Sequence, residues 1–320
     1  MKFKPIVVVP GEPNSIFYEI FFKCIENNKI YSPIILITSK KILEYHLKAL
    51  GFNLRINLLD TKKINIKNLN KKKINIIDVN YEGDFKFDII SNKSKKYINQ
   101  CFNIGFNLIR NNLSFKFING PISKKYFLEK KYLGVTEYIS KKFSIKNFTM
   151  LIYNEELSVC PITTHLPLKY VAKEINQKNI INKVNLINNF YTDHFNIKPR
   201  IAICGLNPHC ETTDGFNEDE KVIYPAINLL KKKGLDVFGP CSADTIFMKK
   251  NRSKFNVIVG MYHDQVLAPI KTLFEFNAIN ITLGLPFLRI SPDHGPNEKM
   301  IGKNLSNPES LIKAIKFLDY

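Results

Sequence analysis

A chain of 320 residues with 45% hydrophobic content exceeds one average domain and suits two lobes with substantial cores. The formal charge of +19 comes from lysines scattered among Asn and Ile, as in Lys71 to Lys73, Lys124 with Lys125 and Lys231 to Lys233, with no RNP-like aromatics and no helix-turn-helix pattern. It therefore reads as solvated surface, and no nucleic-acid partner is expected. Six cysteines, at 24, 101, 160, 204, 210 and 241, contain no C-x-x-C pair and no dense disulfide framework.

At the start of the chain, MKFKPIVVVPGEPN has an apolar stretch too short for a secretory core, and Pro10 and Gly11 interrupt it. The expectation is a cytoplasmic protein without a membrane partner. From there, short apolar runs read as strands: IVVV, SPIILIT, KINIIDV, FKFING, FTMLIY, LSVCPITT, RIAICGL, VIVGMY and NAINITLGL. Between them IFYEIFFKCIEN, KKILEYHLKAL, YINQCFNIGFNLIRNN, NKVNLINNFYTDHF, EKVIYPAINLLKKKG and the terminal NPESLIKAIKFLDY have helical spacing. The alternation predicts an α/β fold. FTMLIY and LSVCPITT stand so close that they read as an antiparallel pair, which makes the sheet mixed. No internal repeat or low-complexity linker marks a domain boundary.

Three of the six histidines each follow an apolar run: His165 in SVCPITTHLPL, His209 in IAICGLNPH and His263 in VIVGMYHDQ. Ligands of open α/β sheets collect at the carboxyl ends of strands, so imidazoles delivered there from distant segments can converge on one ion. Three imidazoles with an open position suit a catalytic divalent metal, most simply zinc. Asp264, next to His263, and Asp244, in GPCSADTIF, read as extra ligands, as orienting partners, or as helix caps. A structural zinc at His209, bracketed by Cys204 and Cys210, lacks the usual knuckle spacing. Further on, Lys271, Asn280 and Arg289 interrupt an apolar stretch, and this trio suits a phosphate or carboxylate. No G-x-G-x-x-G follows any strand, so a nicotinamide cofactor would have to bind without the Rossmann fingerprint.

The succession GEPNSI, NGPISK, GVTEYIS, THLPLKYV, CGLNPH, GPCSADTIF, MYHDQVLAPIK, NITLGLPFLR and DHGP resembles the 4-hydroxythreonine-4-phosphate dehydrogenase family, from about Gly11 to the final helix and most specifically from Met261 to Gly295. The resemblance implies a two-lobed fold like that of isocitrate and isopropylmalate dehydrogenases, with a central mixed sheet and an interdomain cleft. The lobes are expected at 1–130 plus 295–320 and at 131–294, the second with metal and dimer contacts. It also implies a homodimer with a shared active site. The implied chemistry is NAD- or NADP-linked oxidation of 4-phosphooxy-L-threonine, with decarboxylation to 3-amino-2-oxopropyl phosphate, in pyridoxal 5′-phosphate biosynthesis. His165, His209 and His263 would hold one divalent ion (zinc, magnesium or cobalt), Thr136, Lys271, Asn280 and Arg289 would contact substrate, and Asp244, Asp264 or a metal-bound water would take the hydroxyl proton.

The chain departs from that pattern in places. The family's Gly-His-Thr-Glu stands here as Gly134, Val135, Thr136 and Glu137, and an aliphatic side chain cannot donate the histidine's hydrogen bond. If that bond went to a charged group, its loss costs about 1.5–3 kcal/mol, or tenfold or more in binding. GEPNSIFYEI and ETTDGFNEDE keep Gly11 and Gly215 but add Phe17 and Phe216 near expected tight turns. These departures leave room for a related dehydrogenase acting on another phosphorylated or dihydrodiol acid, or for a catalytically degenerate homologue. A phosphate acyltransferase of similar two-lobed architecture would not need three imidazoles, and a nucleic-acid protein has only the charge in its favour.

Overall fold

The computed structural model describes residues 4–61, 64–87, 89–129, 131–213, 215–292 and 295–319. Among them twelve strands follow in chain order: β1 (Ile6–Val9), β2 (Ile34–Thr38), β3 (Ile56–Leu58), β4 (Ile74–Asp78), β5 (Lys116–Asn119), β6 (Thr149–Tyr153), β7 (Ser158–Thr163), β8 (Ile201–Cys204), β9 (Val237–Cys241), β10 (Val257–Tyr262), β11 (Ile279–Leu283) and β12 (Leu288–Pro292). The chain divides into two compact units, Met1–Tyr138 with Pro286–Tyr320, and Ile139–Leu285. The breaks therefore fall within the helix Val135–Lys142 and just before β12, against the sequence expectation of 130 and 294. Thr136 and Arg289 belong to the first unit.

The first unit carries parallel strands in the order β3-β4-β2-β1-β5-β12. β1, β2 and β5 are buried at every position, as parallel strands covered on both faces require. The helices Phe17–Asn27, Lys40–Leu50, Ser94–Arg110 and Glu309–Leu318 supply the cover. With no Trp and 24 Phe in the chain, aromatic bulk comes from phenylalanine: Phe117 on β5 packs against Phe102 and Phe106, with ring centroids 6.0 and 5.6 Å apart. Lys40–Leu50 ends at Gly51, whose left-handed backbone (φ 77°) lets its N–H return to the Leu47 and Lys48 carbonyls.

The bulk at Phe17 does not disturb the first turn. Phe17 is the first residue of its helix, fully buried and stacked on Phe21 at 6.0 Å. The turn is kept by Gly11 (φ 84°), where a Cβ would collide with the Pro121 carbonyl, and the close approach lets the Glu12 N–H donate to Pro121 O at 3.0 Å. Phe216 is 59% exposed and presses on no turn.

The second unit has a mixed sheet, β11-β6-β7-β10-β8-β9. β11 and β7 both run antiparallel to β6, as the short FTMLIY-to-LSVCPITT link predicts, while β7, β10, β8 and β9 are mutually parallel. Helix Gln177–Phe195 buries Ile180, Val184, Ile187 and Tyr191, one stripe at 3.6-residue spacing.

All nine apolar runs form strands, and β3, β9 and β12 add to them. β3 is short and its Leu58 is 57% exposed, so it carries no continuous apolar signal. β9 contains Gly239 and Pro240, which its place at the sheet edge tolerates. β12 interleaves Arg289 and Ser291 with apolar residues. The helix His263–Phe274 also escapes the sequence reading because Pro269 stands inside it.

Candidate active site

The second unit places its three site histidines at one edge. β7, β10 and β8 are neighbours running in the same direction, with Tyr262 opposite Thr163 and Val259 opposite Ile203. Their carboxyl ends thus lie together: His165 follows β7 by two residues, His263 opens the helix directly after β10, and His209 sits in the turn Pro208–Cys210 after β8. The ring centroids of His165 and His263 are 5.9 Å apart. His263 Nδ1 lies 2.6 Å from Asp264 Oδ1, and His209 Nδ1 lies 3.5 Å from the Ser242 hydroxyl.

Side-chain hydrogen bonds tie these strand ends. Thr163 Oγ1 donates to Met261 O (2.8 Å), the Met261 N–H donates to Gln265 Oε1 (2.6 Å), and Gln265 Nε2 donates to Gly205 O (2.8 Å). Asp219, 1% exposed, receives the N–H groups of Leu206 (2.8 Å) and Asn207 (3.1 Å) and the Asn207 amide (2.9 Å). His209 and Cys210 both hold left-handed backbone, with φ of 56° and 65°, a conformation uncommon outside glycine and maintained only where surroundings impose it. Asp219 fixes the two residues at the start of that loop, Leu206 and Asn207. The Asp219→Ala variant is expected to lose about 2 kcal/mol in urea unfolding, because three half-buried donors lose their shared acceptor.

In the first unit Arg289, on β12 and 2% exposed, donates from Nε to Asn119 Oδ1 (2.8 Å) and from Nη1 to Thr136 Oγ1 (3.1 Å). Burial pushes its guanidinium down to about 10, opposed by the nearby Glu137 carboxylate, so it stays charged at neutral pH. Glu12, 1% exposed, receives the Ser94 hydroxyl (2.7 Å) and the Ser123 N–H (3.0 Å), and desolvation raises its pKa.

The chain's length has a family match: the description "Pyridoxal phosphate biosynthetic protein PdxA" fits residues 29–318. The chain belongs to the PdxA family. A 4-hydroxythreonine-4-phosphate dehydrogenase of a Sulfurihydrogenibium species is 37% identical over 317 residues, 97% of this chain and 96% of that protein. A D-threonate 4-phosphate dehydrogenase of Pectobacterium atrosepticum is 33% identical over 186 residues, 58% of this chain and 57% of that protein. Among solved structures, a 4-hydroxythreonine-4-phosphate dehydrogenase from Klebsiella pneumoniae superposes with a TM-score of 0.85 at 26% identity, covering 99% of this chain and 98% of that one. An isocitrate dehydrogenase from Methylococcus capsulatus, 10% identical with a TM-score of 0.51 over 97% of this chain and 83% of that one, shares the fold alone. Membership makes the chain an oxidoreductase of pyridoxal phosphate biosynthesis, and a dehydrogenase of this family implies a nicotinamide cofactor. No helix among the described residues is long and apolar enough to cross a membrane.

Within the PdxA frame the expected residues fall into distinct settings. His165 and His263 stand side by side, yet no group of three or more His, Cys, Asp or Glu among the described residues is close enough to hold a metal, so the three-imidazole cluster is not closed as the sequence reading expects. His209 is turned toward Ser242. The donor types still fit a divalent ion: two imidazoles side by side, one of them oriented through Nδ1 by a carboxylate. All six cysteines are free, and desolvation pushes the Cys210 thiol up to about 11.

Asp244 is exposed in the short helix Ala243–Ile246, where Ser242 and not Asp244 takes the capping position. It lies near enough to Cys210 to raise that thiol slightly. Lys271 is exposed near the end of His263–Phe274, eight residues and thus roughly 12 Å along the axis from His263. Asn280, on β11, has a buried Oδ1 without a hydrogen-bond partner. Val135 is half-buried at the first position of Val135–Lys142, next to Thr136. Asp293 and His294 of the DHGP motif lie outside the described residues. The sequence reading missed Asn119, Glu12, Asp219 and Gln265. The first, second and fourth stand inside the motifs NGPISK, GEPNSI and MYHDQ, whereas Asp219 lies in ETTDGFNEDE, where nothing singles it out from its acidic neighbours.

Proposed function

We propose that this PdxA-family chain catalyses NAD- or NADP-linked, divalent-metal-dependent oxidation of 4-phosphooxy-L-threonine at its secondary hydroxyl, with loss of carbon dioxide to 3-amino-2-oxopropyl phosphate. The observation that carries the reading is the delivery of His165, His209 and His263 to the carboxyl ends of three adjacent parallel strands. These imidazoles would hold zinc, magnesium or cobalt, and the ion would polarise the substrate oxygen and favour negative charge on it. Asp264 accepts from His263 Nδ1 and so leaves Nε2 with its lone pair available, while Ser242 orients His209.

With Asp264 committed to His263, Asp244 is the carboxylate assigned to take the hydroxyl proton. Arg289 offers a buried guanidinium, fixed by Asn119 and Thr136, to an anionic substrate group. Thr136, Lys271 and Asn280 are the further substrate contacts, and the partnerless Asn280 Oδ1 is an acceptor in search of a donor such as the substrate amine. The functional assembly proposed is a homodimer. Purified protein with divalent metal, NAD or NADP and 4-phosphooxy-L-threonine should form reduced cofactor, and inactivity across all metals and both cofactors would overturn the reading.

Val135 favours a second reading, in which the physiological substrate is a related phosphorylated hydroxy acid; the D-threonate 4-phosphate dehydrogenase relative gives the class. The Val135→His variant separates the two. If the chain works on 4-phosphooxy-L-threonine with a missing hydrogen bond, the variant gains about tenfold or more in kcat/KM on that compound. No gain there, with D-threonate 4-phosphate preferred by the unaltered protein, selects the second reading.

A further inference from the structure

At the amino ends of β2, β3 and β4, opposite the edge that carries Asn119 and Gly120, the first unit contains a cavity of about 450 Å³. Its rim carries Lys29, Arg55, Lys71, Lys72 and Lys73, and Glu26 is the single carboxylate lining it. None of these five cations forms an ion pair with a described residue; Lys29 rests over the Tyr31 ring, 5.1 Å from its centroid. Five uncompensated cations around one concavity repel one another, a cost that an anionic ligand removes.

The cavity is an ordered part of the fold and not just a basic surface. Ser32 lines the cavity at 3% exposure, and its hydroxyl has no hydrogen-bond partner although its own N–H is held by Asp319 Oδ1 at 2.5 Å. The lysine-bearing loop is also pinned: fully buried Asn75 accepts from the Asn70 N–H (2.8 Å) and donates to the carbonyls of Asn70 (2.9 Å) and Ile34 (3.0 Å). The carboxyl end of helix Phe17–Asn27 points toward the same region, but Asn27 and Asn28 cover its Lys23 and Cys24 carbonyls at 3.1 and 3.0 Å, which blunts its negative end.

We propose that this cavity binds a small organic diphosphate, of which a nucleoside diphosphate is the representative, at a site separate from the histidine-bearing edge. Five cations against Glu26 in the lining and Asp319 on the Ser32 N–H still exceed what one phosphate monoester, at about −1.5 to −2, neutralises. The volume is in the range of organic-ligand sites, larger than a bare pyrophosphate requires, and Ile25, Ile30 and Leu54 give an apolar wall for the organic body.

The test is equilibrium dialysis of labelled ADP against the full chain, in which a variant of the cavity rim tells this site from the nicotinamide site. ADP should remain bound, with weaker binding as salt rises. The double variant Arg55→Glu/Lys73→Glu, both exposed positions, should weaken it at least about tenfold while melting with the unaltered protein. The proposal is overturned if ADP is not retained at about 1 mM, if the double variant retains it equally, if inorganic pyrophosphate binds as tightly as ADP, or if a short RNA binds while ADP does not.

Discussion

His209→Ala is expected to lower kcat/KM on 4-phosphooxy-L-threonine by about a thousandfold or more, roughly 4 kcal/mol of transition-state stabilisation. The same preparation should lose its divalent metal, read by atomic emission, because two remaining imidazoles bind an ion far more weakly than three. His209 holds a left-handed backbone, so alanine there adds a conformational cost of its own. His209→Asn is the matched variant, since Asn tolerates that conformation, and it should lose metal and activity with less change in melting temperature. Full turnover by either variant, or by chelated protein, would remove the metal from the reaction and favour an acyl-transfer chemistry that needs no imidazole.

Replacement of Arg289 by Met should separate stability from function. Burial lowers the guanidinium to about 10 from 12.5, so folding carries a desolvation cost of roughly 3 kcal/mol that is present at every pH below the folded value. Met of similar length relieves that cost while leaving Asn119 and Thr136 without their donor, and the two effects oppose each other. The expected outcome is a melting temperature close to that of the unaltered protein, together with a KM raised about a hundredfold for the phosphorylated substrate. A variant that unfolds readily yet keeps the original KM in its folded fraction would make Arg289 a structural cation and not an anion clamp.

Much of this molecule is legible before any coordinates. The apolar runs of β1, β2, β8 and β10 are buried almost throughout, so each announces itself as an apolar string, and the segments after β7, β8 and β10 carry the histidines. β12 and the helix His263–Phe274 were not legible, for a common reason. Each combines residues that local patterns penalise, Arg289 and Ser291 in one and Pro269 in the other, and only packing partners make them acceptable.

Composition, periodicity and motif order by themselves determined the α/β class, the family, and the association of three histidines with strand ends, because these are properties of residue type and spacing along the chain. The tertiary structure decided that β7, β10 and β8 are neighbours, that Asp264 serves His263 while Asp219 holds the N–H groups of Leu206 and Asn207, that Arg289 is buried between Asn119 and Thr136, and that five cations line one cavity at the opposite end of the first unit's strands. Apart from the neighbouring pair His263 and Asp264, those are relations between residues from about ten to nearly two hundred positions apart, and they exist only once burial has made each polar group find a partner or go without.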